Sequence, residues 1–156
     1  MKRRILDFFR DDLDEWAAWL DCGHAQHTRH NPPFTNRPWV EMTLGRDSML
    51  GAELDCLKCD RYELPEGLES YQRTPGFDQD STPAGLTREH RTKTGVWGRI
   101  HVLEGKLQYV RRGEPGQQQT LEPGTPGIIA PDSPHHVALS GSVRFYVEFL
   151  RVPAAS

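Results

Sequence analysis

The chain has 156 residues, a formal net charge of -3, 36% hydrophobic residues and a mean hydropathy of -0.68. That length suits one ordinary domain, or one domain of about 90 residues preceded by a small module that needs help to stay folded. The acidic balance excludes a general affinity for nucleic acid, and no window approaches the roughly 18 consecutive apolar residues of a membrane span.

The opening Met1-Lys2-Arg3-Arg4 runs into Asp7 and Asp11 instead of a hydrophobic signal core, so a cytoplasmic protein is expected. Arg3 to Phe9, a polar stretch from Arg10 to Glu15, and Trp16 to Leu20 read as a hairpin that delivers Cys22 at its end. A 3.6-residue period through Leu13, Trp16, Ala17 and Leu20 makes a helix the competing reading. Asn31-Pro32-Pro33 cannot be a regular element, because two prolines remove donors and fix the chain extended. Arg37-Pro38-Trp39-Val40 is a short apolar stretch, and Gly45 to Gly51 makes a turn or a brief helix before Cys56-Leu57-Lys58-Cys59. These first 60 or so residues are poor in core material and call for a metal as their staple.

Tyr62 to Gly67 reads as the joint between a module at 1–62 and a second at 68–151. Beyond it, strands are expected at Leu86 to Lys93, Val96 to Leu103, Lys106 to Val110, Thr120 to Leu121, Gly127 to Ala130, His135 to Leu139 and Val143 to Leu150. Most of their separators carry the Gly, Pro, Ser or Asp chemistry of turns. Short strands at that spacing predict a mainly β protein of sandwich or barrel type.

All 7 histidines and all 3 cysteines fall into two constellations. The first is Cys22, His24, His27 and His30 with Cys56 and Cys59; the second is His90, His101, His135 and His136. Two close pairs, Cys22 with His24 and Cys56 with Cys59, supply three thiolates and an imidazole, a complete tetrahedral set for a structural Zn2+. His24 leads as the fourth ligand, then His27, then His30. The CxxC lies in an acidic, loop-like stretch, which places the redox alternative below the metal one.

Two resemblances add to this. The run Cys22-Gly23-His24-Ala25-Gln26-His27-Thr28-Arg29-His30-Asn31-Pro32-Pro33, with Trp39 and the CxxC after it, is similar to a small uncharacterised bacterial Cys/His domain family that lends no activity. The segments Tyr71 to Asp78, Pro83 to Leu86, His90 to Gly98, Val102 to Gly105, Pro134 to Val137 and Val143 to Phe149 resemble the TehB/YeaR-like family of cupin-type domains, linked by name to tellurite resistance. The resemblance implies a cupin double-stranded β-helix, or jelly roll, and commonly a homodimer. It also implies a divalent metal in the barrel, with His90 and His135 as ligands.

This chain departs from the wider cupin pattern, with Thr92 at the second histidine of the first motif and Gly98 at its glutamate. Strand alternation leaves His101 and Glu148 as candidates for a third ligand. The preferred function is a metal-binding cupin in a stress or toxic-oxyanion response, holding a small molecule or oxyanion. The alternatives are a metal-dependent cupin oxidoreductase or isomerase and a zinc-finger adaptor for a protein partner. Methyl transfer is not expected, because no Gly-rich turn between a strand and a helix is present.

Overall fold

The computed structural model describes residues 1–28, 37–112 and 117–153. The chain divides into two compact units, Met1–Glu66 and Gly67–Ser156. Among the described residues no helix is long and apolar enough to cross a membrane.

The first unit is a four-stranded antiparallel sheet in the order β3-β2-β1-β4, where β1 is Lys2–Arg10, β2 Trp16–Leu20, β3 Ala25–His27 and β4 Glu53–Asp55. The hairpin reading of residues 3–20 is the one adopted, with Phe8 opposite Ala18 and Arg10 opposite Trp16. The Asp11 carboxylate explains why the chain turns there: it accepts the Leu13 and Glu15 amides at 2.9 and 3.0 Å. A local side-chain acceptor of this kind competes with helix formation and overrides the 3.6-residue period. A 3-10 turn at Pro38–Glu41 leads into α1, Thr43–Met49. Ile5, Leu20, Val40 and Leu54 are the large aliphatic side chains buried in this unit.

β1 has β2 on one side and β4 on the other. Ile5 lies opposite Leu20, and Lys2 opposite Asp55, so the end of β2 and the end of β4 meet near the start of β1. The segments just beyond these two strands are therefore brought together: the turn holding Cys22 and His24 after β2, and Cys56 with α2, Leu57–Asp60, after β4. The CxxC is thus a strand end and a single helical turn, not the loop expected from its acidic surroundings.

The second unit has a five-stranded sheet ordered β10-β7-β12-β5, with β6 also paired to β12, and a three-stranded sheet ordered β11-β8-β9. Its strands are β5 Glu69–Arg73, β6 Phe77–Asp78, β7 Val96–Gly105, β8 Leu107–Arg111, β9 Gln117–Leu121, β10 Gly127–Ile129, β11 His135–Ala138 and β12 Val143–Arg151. Both sheets feed one core, in which Ile100 and Phe145 from the larger join Leu107, Tyr109, Leu121 and Val137 from the smaller. The β7–β8 hairpin turns at Gly105, whose φ is +78° and where a Cβ would lie 2.1 Å from the Ser142 carbonyl oxygen. Only glycine meets both demands.

The strand expected over Leu86 to Lys93 does not form. Ala84–Thr87 is instead a short helix, α3, with Pro83 as its N-cap, and His90 makes an isolated bridge to His135. A proline just ahead of a helix is pre-set for entry into it. β5 and β6, which lack an alternating apolar pattern, are strands that the sequence does not announce; every residue of β5 is exposed.

Candidate metal centre and ligand cavity

Gly23, with φ of +94°, turns the chain between β2 and β3 so that its amide donates to the Leu20 carbonyl at 2.9 Å. Cys22 and His24 then point the same way. Across β1, Cys56 is fixed by its amide donating to the Met1 carbonyl at 2.7 Å, and Cys59 comes one helical turn later. The four side chains converge in a buried cluster, and none of the three cysteines is in a disulfide.

His24 Nδ1 stands 3.4 Å from Cys22 Sγ, 3.4 Å from Cys56 Sγ and 3.5 Å from Cys59 Sγ, and the Cys22 and Cys56 sulfurs are 3.9 Å apart. A tetrahedral zinc with bonds of about 2.3 Å to sulfur and about 2.0–2.1 Å to nitrogen has edges of about 3.5–3.8 Å. The spacing therefore fits one ion at the centre of the four. His24 Nε2–H donates to the Glu63 carbonyl at 2.8 Å, which turns Nδ1 toward the sulfurs, where it would be the ligand atom of a bound ion.

In the ion-free cluster the Cys22 thiol and the His24 ring hold protons that a bound cation would displace. Hydrogen bonding with Cys56 and Cys59, and then burial, push the Cys22 thiol up, while Cys56 is held low by the hydrogen bonds it receives from Cys22 and Cys59. Burial opposes the charged form of His24, but hydrogen bonds to Cys56 and Cys59 outweigh it and raise its pKa to about 9. Buried Arg3 donates from Nε to Cys59 Sγ at 3.3 Å. Three thiolates around a divalent ion leave one net negative charge, which this guanidinium balances. Sequence reasoning missed Arg3, although it shares the buried face of β1 with Ile5, and a buried arginine signals a buried anion.

His27 does not join this cluster. It lies on the exposed side of β3, and its Nδ1 sits 3.0 Å from Asp11 Oδ2, in a separate group with Glu15. Alternation along the strand explains this: His27 falls three residues after His24, on the other face. His30 and the Asn31-Pro32-Pro33 turn lie outside the described residues.

In the second unit His90 and His135 meet. Their backbones exchange two hydrogen bonds of 2.9 Å and their ring centroids are 4.2 Å apart. Each ring anchors Nδ1 on the carbonyl two residues earlier, His90 on Arg88 at 2.9 Å and His135 on Ser133 at 2.8 Å. As donors to those carbonyls, both rings keep Nε2 as a lone-pair atom. His135 Nε2 is buried and has no hydrogen-bond partner among the described residues. Burial above all pushes the His135 pKa down, to about 4, so the ring is neutral near pH 7. Both histidines line a cavity of about 320 Å3 whose walls include Ile100, Ile129, Val137, Phe145 and Phe149.

His101 and Glu148 are not third ligands to this pair. His101 Nε2 and Glu148 Oε1 bond each other at 2.9 Å, with Arg99 at 3.5 Å from the same carboxylate oxygen. Strand pairing sets Tyr146 beside His101 and Glu148 beside Arg99, whereas the cavity is lined from the same strands by Ile100, Phe145, Val147 and Phe149. The two residues expected near the histidines thus occupy the opposite face of the sheet. The bond to His101 in particular holds the Glu148 carboxyl below its ordinary range.

Residues 72–147 match the model of the TehB-like domain. The second unit carries a TehB-like domain. Residues 6–63 match a family described as Protein of unknown function (DUF3565). The uncharacterized protein YeaR of Escherichia coli K12 is 25% identical over 100 residues, which span 58% of this chain and 84% of YeaR. TehB of Haemophilus influenzae, a probable S-adenosyl-L-methionine-dependent methyltransferase, is 37% identical over 46 residues, 30% of this chain but 16% of TehB.

Among solved structures, the TehB-like domain is similar to an E. coli K12 protein with a TM-score of 0.53 at 25% identity, covering 58% of this chain and 97% of that one. It is also similar to the crystal structure of H. influenzae TehB, with a TM-score of 0.51 at 28% identity, covering 56% of this chain and 32% of TehB. These matches correct one expectation. The missing Gly-rich turn argues against methyl transfer, yet sequence and structure both relate the chain to a probable methyltransferase, and that exclusion falls.

Proposed function

We propose that the protein is a two-site metal binder, with a zinc-stapled first unit and, in the second, a cupin-type TehB-like domain that holds a small ligand beside a divalent metal on His90 and His135. The observation that carries the reading of the second site is the buried His135 Nε2, which has no hydrogen-bond partner among the described residues and lies beside the His90 ring, anchored through Nδ1 in the same way. Leaving a buried acceptor unsatisfied costs about 1–3 kcal/mol, and a cation bonded to it removes that cost. The donors fit a metal such as zinc, for which neutral imidazole is a good ligand.

Two protein ligands leave coordination positions for water or a bound molecule. A divalent ion there supplies a Lewis-acidic point for an oxygen of the ligand. The backbone carbonyls of Arg88 and Ser133 hold the two rings in the tautomer that presents Nε2, and apolar side chains make up most of the cavity wall. The two-sheet core and the likeness to TehB and YeaR support the cupin jelly-roll reading and a relation to the group linked with tellurite resistance. Kinship with a probable methyltransferase also favours a small-molecule ligand over a macromolecular one.

Elemental analysis of protein purified without added metal tests this. Two metals per chain are expected, one lost in Cys56→Ser/Cys59→Ser and the other lost in His90→Ala/His135→Ala. A single metal that is insensitive to the histidine substitutions removes the second site.

A further inference from the structure

The cavity beside His90 and His135 also specifies what kind of molecule it takes. Its volume of about 320 Å3 sits at the lower end of the range of about 300–1,000 Å3 typical of small-molecule sites. Most of its wall is hydrocarbon, from Ile100, Ile129, Val137, Phe145, Val147 and Phe149. Two lining hydroxyls are already engaged: Thr74 Oγ1 accepts the Val147 amide at 2.9 Å, and Thr92 donates to the Val96 carbonyl at 2.8 Å. The polar side is one-sided in sign. Exposed Arg91 and Lys93 line the cavity next to His90, and no carboxylate is among its described lining residues.

A bare inorganic oxyanion needs hydrogen-bond donors around every oxygen, and stripping its water against these walls is costly. It would also leave most of the volume unfilled. An organic cation would meet two like charges and no counter-charge. A molecule with an apolar body and one anionic head matches both halves: the body against Ile129 and Phe149, the head toward Arg91 and Lys93.

We propose that the ligand of the TehB-like domain is an amphiphilic organic anion, a small carboxylic acid with an apolar tail, and not a bare oxyanion such as tellurite. This rests on reading the cavity as the ligand site. The test uses the full chain and a set of probes: butanoate, pentanoate, hexanoate, hexanamide, hexylammonium and sodium tellurite, with titration calorimetry for affinity and methyl NMR for location. Hexanoate is expected to bind at least threefold more tightly than hexanamide and hexylammonium. Each added methylene is expected to tighten binding about three- to fourfold, and the methyl signals of Ile129, Val137 and Val147 are expected to move. Arg91→Gln/Lys93→Gln should weaken hexanoate about threefold and leave hexanamide unchanged.

A flat chain-length series, shifts confined to other residues, or tellurite binding more tightly than hexanoate overturns the proposal. Metal analysis on the same samples separates it from the metal reading. Hexanoate bound with this profile to metal-free protein upholds the ligand class and sinks the metal. A metal retained on His90 and His135 in protein that ignores hexanoate does the reverse.

Discussion

On the proposed reading, removing zinc from Cys22, His24, Cys56 and Cys59 should unfold the first unit while the second keeps its own core. The large aliphatic side chains buried in the first unit are Ile5, Leu20, Val40 and Leu54. At about 1.5–3 kcal/mol each they contribute together about 6–12 kcal/mol before any ordering cost. A thiolate-rich structural zinc contributes about 10–16 kcal/mol of folding free energy, as much as or more than that apolar material, while a whole domain is stable by only about 5–15 kcal/mol. Chelation, or Cys56→Ser, therefore leaves the first unit without net stability. Amide NMR reads this directly: resonances of Ile5, Leu20, Val40 and Leu54 collapse to unfolded positions, and those of Ile100, Leu107 and Phe145 do not. Added zinc restores the chelated wild type but not Cys56→Ser. Dispersed first-unit resonances in fully metal-free protein would refute the reasoning.

Arg3→Gln keeps the fold but leaves the charge of the cluster unbalanced, so chelator competition should show zinc affinity at least tenfold lower. His101→Ala and Glu148→Gln should leave the proposed metal site at His90 and His135 intact and cost less than about 1 kcal/mol in urea denaturation, because their hydrogen bond is partly exposed. In metal-free protein, His135 titrates near 4 folded against about 6.5 unfolded. A base with a depressed folded pKa adds stability that is present above pH 6.5 and lost as the pH falls toward 4, here about 3 kcal/mol in all. Denaturation at pH 7 and pH 4 should therefore show a larger loss for wild type than for His135→Gln, and equal losses would contradict the assignment.

The thiolate cluster was legible because its ligands come in close pairs, and a pair such as Cys22 and His24 needs only one tight turn to act together. The choice of His24 over His27 came from the same logic of reach, and the structure supplies the reason in the strand that separates them. Arg3 escaped because a basic N-terminus reads as solvated until its partner across the sheet is known. The strands from Val96 onward were legible from turn chemistry between them. β5 was not, since a fully exposed edge strand carries no buried face to generate a pattern, and Leu86 was assigned to a strand whose start Pro83 diverts into a helix. His101 and Glu148 show the limit of period-two reasoning: it put each on a face, but which face met His90 depended on a pairing between β7 and β12 that only the fold defines.

Zinc-edge X-ray absorption on the purified full chain tests the central claim that Cys22, His24, Cys56 and Cys59 share one ion. With the second site removed by His90→Ala/His135→Ala, the account predicts a shell of three sulfurs at about 2.3 Å and one nitrogen at about 2.0–2.1 Å. A shell without sulfur, or protein that carries no metal at all, would contradict it.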